Sequence, residues 1–243
     1  MKLSIATVFV AASVSLLGCS SSPLSPMAES EAGRGPSLSP PVGAAGASAA
    51  PGASAGAASV GVSSSYVAYP AGPYGTGRGA TIENLSFLGW KHPDEAGYEP
   101  SKFEVIRLSD FYDPDGQTGV KLLAINASAV WCSVCRAEYA GMHKESVYDR
   151  LRPLGLEILG TLFEDNNFFP AQPKDLQNWS ALSAHAVTFP MGLDPGFKLG
   201  AFFVSDATPL NMLVDVRTMT IVQVTMGVSE TYWTQVQAQL EKL

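Results

Sequence analysis

Cysteine and histidine are scarce in this 243-residue chain, three of each. So few thiols exclude the disulfide framework that staples many small secreted folds, and so few imidazoles leave little from which to build a structural metal site. Basic side chains are also few, 15 Lys and Arg against 22 Asp and Glu for a net charge of −7, which argues against a nucleic-acid surface. No apolar run approaches the ~20 residues of a confident membrane-spanning helix. From Ser20 to about Gly79 large apolar residues are sparse and charges few, while Ser, Ala, Gly and Pro dominate, as in "PPVGAAGASAAPGASAGAASVGVSSS". Such a segment buries too little surface to order itself and reads as a tether. A flexible coil of about 60 residues spans roughly 40 to 45 Å.

The chain does carry an N-terminal apolar stretch, "LSIATVFVAASVSLLG" after Met1-Lys2, suited to an export signal over residues 1–18. It ends in "LLGC", Leu16 to Cys19, which resembles the lipobox of bacterial lipoproteins. That resemblance implies cleavage before Cys19 and lipid attachment to it. Several acyl chains on one residue hold a protein stably at a membrane. The plain alternative is that Cys19 is a small residue late in a signal peptide. With Ser20 after the cysteine, the resemblance to lipoproteins also implies the outer rather than the inner membrane, with the domain facing the periplasm, where disulfides persist.

Residues 80–243 suit one compact domain. Apolar, β-branched runs between turn residues predict strands near Lys102–Leu108, Val120–Ala127, Leu156–Leu162, Leu210–Asp215 and Thr220–Met226. Helical spacing predicts helices over Ser133–Leu151, Asp175–His185 and Ser229–Leu243. The order is strand, helix, strand, helix, strand, strand, helix, preceded by an extra strand or hairpin.

"SAVWCSVCRAEY", Ser128 to Tyr139, holds the two remaining cysteines, Cys132 and Cys135. A zinc site would need two more ligands from His92, His143, His185 or carboxylates. His143 lies eight residues beyond Cys135 on one predicted helix, about 12 Å along its axis, too far to share a metal with it. A structural staple closing so short a loop removes little unfolded-state entropy. A redox pair fits the local physics better, because the pair falls where an apolar strand gives way to a helix. Unsatisfied N–H groups and the dipole at a helix N-terminus stabilise a thiolate, the attacking form in thiol-disulfide exchange. Cys132 is then the nucleophile and Cys135, one turn along, the resolving thiol.

The "WCSVC" of Trp131 to Cys135, the Glu138 that completes a WCxxCxxE pattern, and "TPLNMLVD" of Thr208 to Asp215 together resemble the thioredoxin superfamily, and within it the TlpA/ResA-like membrane-tethered thiol-disulfide oxidoreductases. The resemblance covers roughly Ile82 to Leu243. It implies an α/β, thioredoxin-like fold, a central mixed β-sheet flanked by helices on both faces. It also implies that Pro209 is cis and lies against the sulfurs, that Trp131 and Thr208 meet the partner chain, and that Glu138 manages the protons of the pair. A glutamate early in a helix otherwise reads as a solvated residue favouring the dipole, and Thr208-Pro209 alone as an ordinary turn. Two departures stand out. Asn126 lies in the strand six residues before the nucleophile, where many thioredoxins have an acid and several TlpA/ResA-like proteins have asparagine. Ser133-Val134 lacks the Gly-Pro of thioredoxin and the Pro-His of strongly oxidising relatives, which leaves the direction of electron flow open, since about 30 mV is 1.4 kcal/mol for a two-electron couple.

The resulting expectation is a periplasmic oxidoreductase that exchanges the Cys132/Cys135 dithiol or disulfide with partner proteins, as a reductant fed by a membrane electron donor, with no cofactor beyond that pair and no metal. Three alternatives stand beside it. A thiol peroxidase would want threonine where Ala129 stands. A copper chaperone of related fold would use both cysteines and a histidine such as His185, with wider cysteine spacing. A tethered binding module would leave the cysteines idle. "DPDG", Asp113 to Gly116, reads as a turn, since Phe111 and Leu122 occupy positions where a calcium loop needs oxygen ligands. The triplets at Asn84, Asn126 and Asn178 are chance glycosylation matches. "LFEDNNFFP", Leu162 to Pro170, reads as a packed loop, with a partner-facing role as the alternative.

Overall fold

The computed structural model describes residues 67–93, 98–181 and 187–243. The leader, Cys19, most of the expected tether and His185 lie outside them. Seven strands form one sheet: β1 (Ser86–Trp90), β2 (Glu104–Arg107), β3 (Leu122–Ser128), β4 (Leu156–Leu162), β5 (Met191–Leu193), β6 (Leu210–Asp215) and β7 (Thr220–Met226). Among the described residues, four α-helices accompany them: α1 (Ser133–Lys144), α2 (Val147–Leu151), α3 (Pro173–Ser180) and α4 (Tyr232–Leu240).

The strand order is β2-β1-β5-β4-β3-β6-β7. β3, β4 and β5 run parallel and the outer pairings are antiparallel. Parallel neighbours need a crossover, and α1 with α2 supplies the one between β3 and β4. All seven residues of β3 are buried, so the sheet is covered on both faces there, which is why this strand reads as a near-continuous apolar run. The expected extra N-terminal element is the antiparallel pair β1 and β2.

Three details differ from the sequence reading. The single helix expected over Ser133–Leu151 is broken after Lys144, with Ser146 in the left-handed region at φ 49°. The break re-phases the chain so that Met142 on one side and Val147, Tyr148 and Leu151 on the other are all buried. β5 was not expected: at three residues it is too short to carry a pattern, and its close packing against Phe87 through Gly192 is a tertiary matter. The domain also begins earlier than the boundary at Ala80. Tyr69 donates to the Ile82 carbonyl at 2.9 Å and packs edge-on against Tyr112, and the Gly79 N–H donates to the Ile221 carbonyl at 2.8 Å. Tyr69, partly buried against the core, supplies packing that the Ala, Gly and Ser of this stretch cannot.

The "DPDG" segment is a turn. Asp113 is buried, accepting from the Gln117 and Thr118 backbone at 2.8 Å each and from the Thr118 hydroxyl at 2.6 Å. Burial alone would raise its pKa; the bonds from Thr118 and Gln117 outweigh this and hold it below the ordinary value.

Candidate active site

β3 delivers the chain to the site and α1 begins there. Cys132 is the N-cap of α1, in extended conformation, and its sulfur accepts the Cys135 N–H at 3.0 Å. Cys132 and Cys135 are joined as a disulfide. Cys132 is 4% exposed and Cys135 0%, so an approaching group meets Cys132 first. β6 lies antiparallel beside β3, with Asn126 opposite Asn211 and Ala127 opposite Leu210. That register brings the residues just before β6 to the cysteines. Thr208-Pro209 is a cis peptide, the Thr208 hydroxyl donates to the Cys132 sulfur at 3.2 Å, and the Pro209 carbonyl accepts the Gly227 N–H at 2.8 Å.

Behind the sulfurs lies a buried polar cluster. Cys135, Glu138, Tyr139 and Met142 form the buried stripe of α1, the i, i+3, i+4, i+7 pattern of one helix face. This stripe seats the helix on the sheet, with the Tyr139 hydroxyl 3.7 Å from the Met191 sulfur above Gly160. A Cβ at Gly160 would lie 2.3 Å from both atoms, so only glycine lets the helix approach so closely.

Glu138 faces the sheet and is 6% exposed. The Asn126 amide donates to its Oε2 at 2.9 Å and the Asn211 amide to its Oε1 at 2.8 Å. Asn126 also donates to Asn211 Oδ1 at 3.0 Å and accepts from the Ser128 hydroxyl at 2.7 Å. Every oxygen of the carboxylate thus has an amide donor, yet among the described residues no cation is paired with it. Burial pushes Glu138 from 4.5 up to about 7, with the bonds from Asn211 and Asn126 pulling the other way. The buried Tyr232 hydroxyl has no hydrogen-bond partner among the described residues, and burial together with the Glu138 charge raises its pKa.

The loop after β4 flanks the motif on its other side. Trp131 donates from Nε1 to Glu164 Oε2 at 2.8 Å and stacks, tilted, on Phe168 at 5.3 Å. Arg136 donates to the Val130 carbonyl and, at 3.1 Å, to Asn166.

Of the residues singled out from the sequence, Trp131, Cys132, Cys135, Glu138, Thr208 and Pro209 come together here. Asn211, Ser128, Glu164 and Asn166 were missed as members of the site. Asn211 had a readable signal, since a polar residue at the second position of an otherwise apolar strand has to find a buried partner. Among the described residues no group of three or more His, Cys, Asp or Glu side chains is placed to hold a metal ion.

No protein-family model and no curated protein matches the chain. Among solved structures, it is similar to a Chlorobium tepidum protein assigned as the thiol:disulfide interchange protein DsbE, with a TM-score of 0.50 and 15% identity over 69% of this chain and 98% of that one. It is likewise similar to a Bacteroides thetaiotaomicron protein assigned as a protein disulfide isomerase, with a TM-score of 0.50 and 21% identity over 70% of this chain and 91% of that one. At these identities the likeness is one of fold, and the fold is thioredoxin-like.

Proposed function

We propose that this thioredoxin-like chain is a thiol-disulfide oxidoreductase, tethered to a bacterial membrane through Cys19 and facing the periplasm. On this reading it reduces protein disulfides with the Cys132/Cys135 dithiol. The observation that carries the proposal is the setting of the Cys132 sulfur, a helix N-cap with the Cys135 N–H and the Thr208 hydroxyl both directed at it. These donors and the helix dipole favour the thiolate over the thiol.

The Cys132 thiolate attacks one sulfur of the partner's disulfide, forming a mixed disulfide and releasing the partner's first thiolate. Cys135 then loses its proton and attacks the Cys132 sulfur, which breaks the mixed disulfide and frees the partner's second thiolate. Two electrons pass from the dithiol to the partner, leaving the Cys132–Cys135 disulfide. A membrane dithiol donor restores the reduced pair.

Cys135 is fully buried and needs a base at hand. Glu138, one turn along the same helix face, titrates near 7, close to the working pH favoured for a general base. Asn126 and Asn211 keep its carboxylate hydrogen-bonded in either state. The indole of Trp131 and the backbone of Thr208 line the approach to Cys132 and meet the partner chain.

Cys135→Ser tests the reading. The variant, expressed with its leader in a bacterial periplasm, is expected to accumulate disulfide-linked adducts that collapse on reduction, and Cys132→Ser to accumulate none. Absence of adducts, together with failure of the reduced protein to act on any model disulfide, leaves the cysteines idle and ends the proposal.

A further inference from the structure

The proposed mechanism uses Trp131 but not the loop stacked on it, and that loop has unusual exposure. Phe168 and Phe169 are 67% and 66% exposed, side by side, where a solvated loop would ordinarily carry polar residues. Phe168 also adopts φ 64°, a left-handed conformation disfavoured for a bulky side chain.

The conformation is held in place by several bonds. Asp165 Oδ1 accepts the N–H groups of Asn167 at 2.7 Å and Phe169 at 2.9 Å, and the Asp165 N–H donates to the Phe169 carbonyl at 2.8 Å. The base of the loop is pinned to the strand leading into the cysteines, with Val130 N–H to the Glu164 carbonyl at 2.8 Å and Phe163 N–H to the Ser128 carbonyl at 3.1 Å. Its tip is tied to the motif by Trp131 on Phe168 and by Arg136 on Asn166. Both tying residues belong to the segment around Cys132, one just before it and one a turn after. The Phe168 ring therefore stands at a set position on Trp131, the residue before Cys132, with Phe169 next to it along the loop.

We propose that residues 163–171 form a docking arm for the partner polypeptide, and that Phe168 and Phe169 receive an apolar or aromatic side chain lying within about three residues of the partner's reactive cysteine, each extended residue advancing the chain by roughly 3.3 Å. This rests on the oxidoreductase reading and names the partner chemistry of that site. Two aromatic rings supply a few hundred Å² at most, well short of the roughly 1,200 Å² or more of a stable interface. They suit a transient polypeptide partner and are too small for a permanent second copy of the chain.

The test compares two cystine-bridged peptides of equal length, one with Phe and one with Ser two residues from the attacked cysteine, and a small symmetrical reagent, hydroxyethyl disulfide. The full reduced chain is assayed beside Phe168→Asn/Phe169→Ser, in which asparagine tolerates the left-handed backbone. The wild type is expected to show a KM roughly 10- to 100-fold lower for the Phe peptide than for the Ser peptide, on the scale of apolar burial. The double variant should lose that preference while its rates with the Ser peptide and hydroxyethyl disulfide stay unchanged. A preference that survives in the variant, or an equal loss with all three substrates, overturns the arm and leaves the redox reading standing. A Phe-dependent dimer in sedimentation equilibrium overturns it as well, by giving the surface to a second copy. No turnover of any disulfide by the wild type sinks the arm and the redox reading together.

Discussion

Glu138→Gln isolates the energetic consequence of a carboxylate buried with amide donors and, among the described residues, no cation. In the folded chain Glu138 titrates near 7, against an ordinary 4.5. Between those values the folded state holds a proton that the unfolded state has released. The stability associated with this group is therefore fully present below about pH 4.5 and is lost as pH rises through 7, at 1.36 kcal/mol per pH unit, for a total of about 3 kcal/mol. Glutamine does not titrate, so the variant lacks this fall. The substituted amide also presents an N–H₂ group where two amide donors, Asn126 and Asn211, already face the carboxylate, a mismatch costing about 1 to 3 kcal/mol at every pH. The variant should thus be the less stable protein at pH 5 and draw level or ahead by pH 9. Urea unfolding of both proteins in the disulfide form, where the cysteines do not titrate, gives the difference directly, since other shifted groups such as Asp113 and Asp194 are common to both. The difference should move by about 2.5 kcal/mol in favour of the variant between pH 5 and 9, a little of the total having been lost already by pH 5. Curves that run parallel to within about 0.5 kcal/mol would falsify the claim that Glu138 is held as a perturbed acid.

Other consequences follow from the same contacts. Asn211→Leu removes the donor to Oε1, so the Glu138 pKa should rise further, by about 1 to 2 for the loss of one charge-assisted bond; a carboxyl titration followed by carbon NMR that stays put would mean Asn211 does not hold the carboxylate. Thr208→Val removes a hydroxyl donor from the Cys132 sulfur, and alkylation of the reduced protein at neutral pH should slow about threefold to tenfold, the equivalent of one ordinary hydrogen bond; an unchanged rate argues that the hydroxyl plays no part in stabilising the thiolate. Gly160→Ala drives a methyl group into Tyr139 and Met191 and should cost about 1 to 3 kcal/mol as overpacking, read as a lowered urea midpoint, with an unmoved midpoint meaning that α1 does not sit on β4 this closely.

Much of the site is legible in the amino-acid sequence. The CxxC pair at a strand-to-helix junction and the proline ahead of β6 are local patterns, each expressed within a few consecutive residues, and the thioredoxin-like order of elements follows from a succession of such local patterns. The helix break at Ser146 is masked because Val147 and Leu151 continue a helical spacing in letters even where the backbone re-phases. β5 has three residues, and a period of two cannot be recognised in three. The early start of the domain is hidden by composition, since an Ala/Gly/Ser-rich stretch looks unordered until its tyrosines find partners.

The sequence by itself determined where the two thiols of the proposed exchange lie, because a cysteine at a helix N-terminus and a second cysteine one turn later are properties of a dozen adjacent residues. Only the tertiary structure decided what surrounds those atoms. Asn211 meets Glu138 across 73 positions and Thr208 meets Cys132 across 76, and both contacts depend on the register in which β6 pairs with β3. The perturbed acidity of Glu138 and the packing of Phe168 on Trp131 depend on burial and on long-range packing, which are set by strand register and by which side chains the fold encloses.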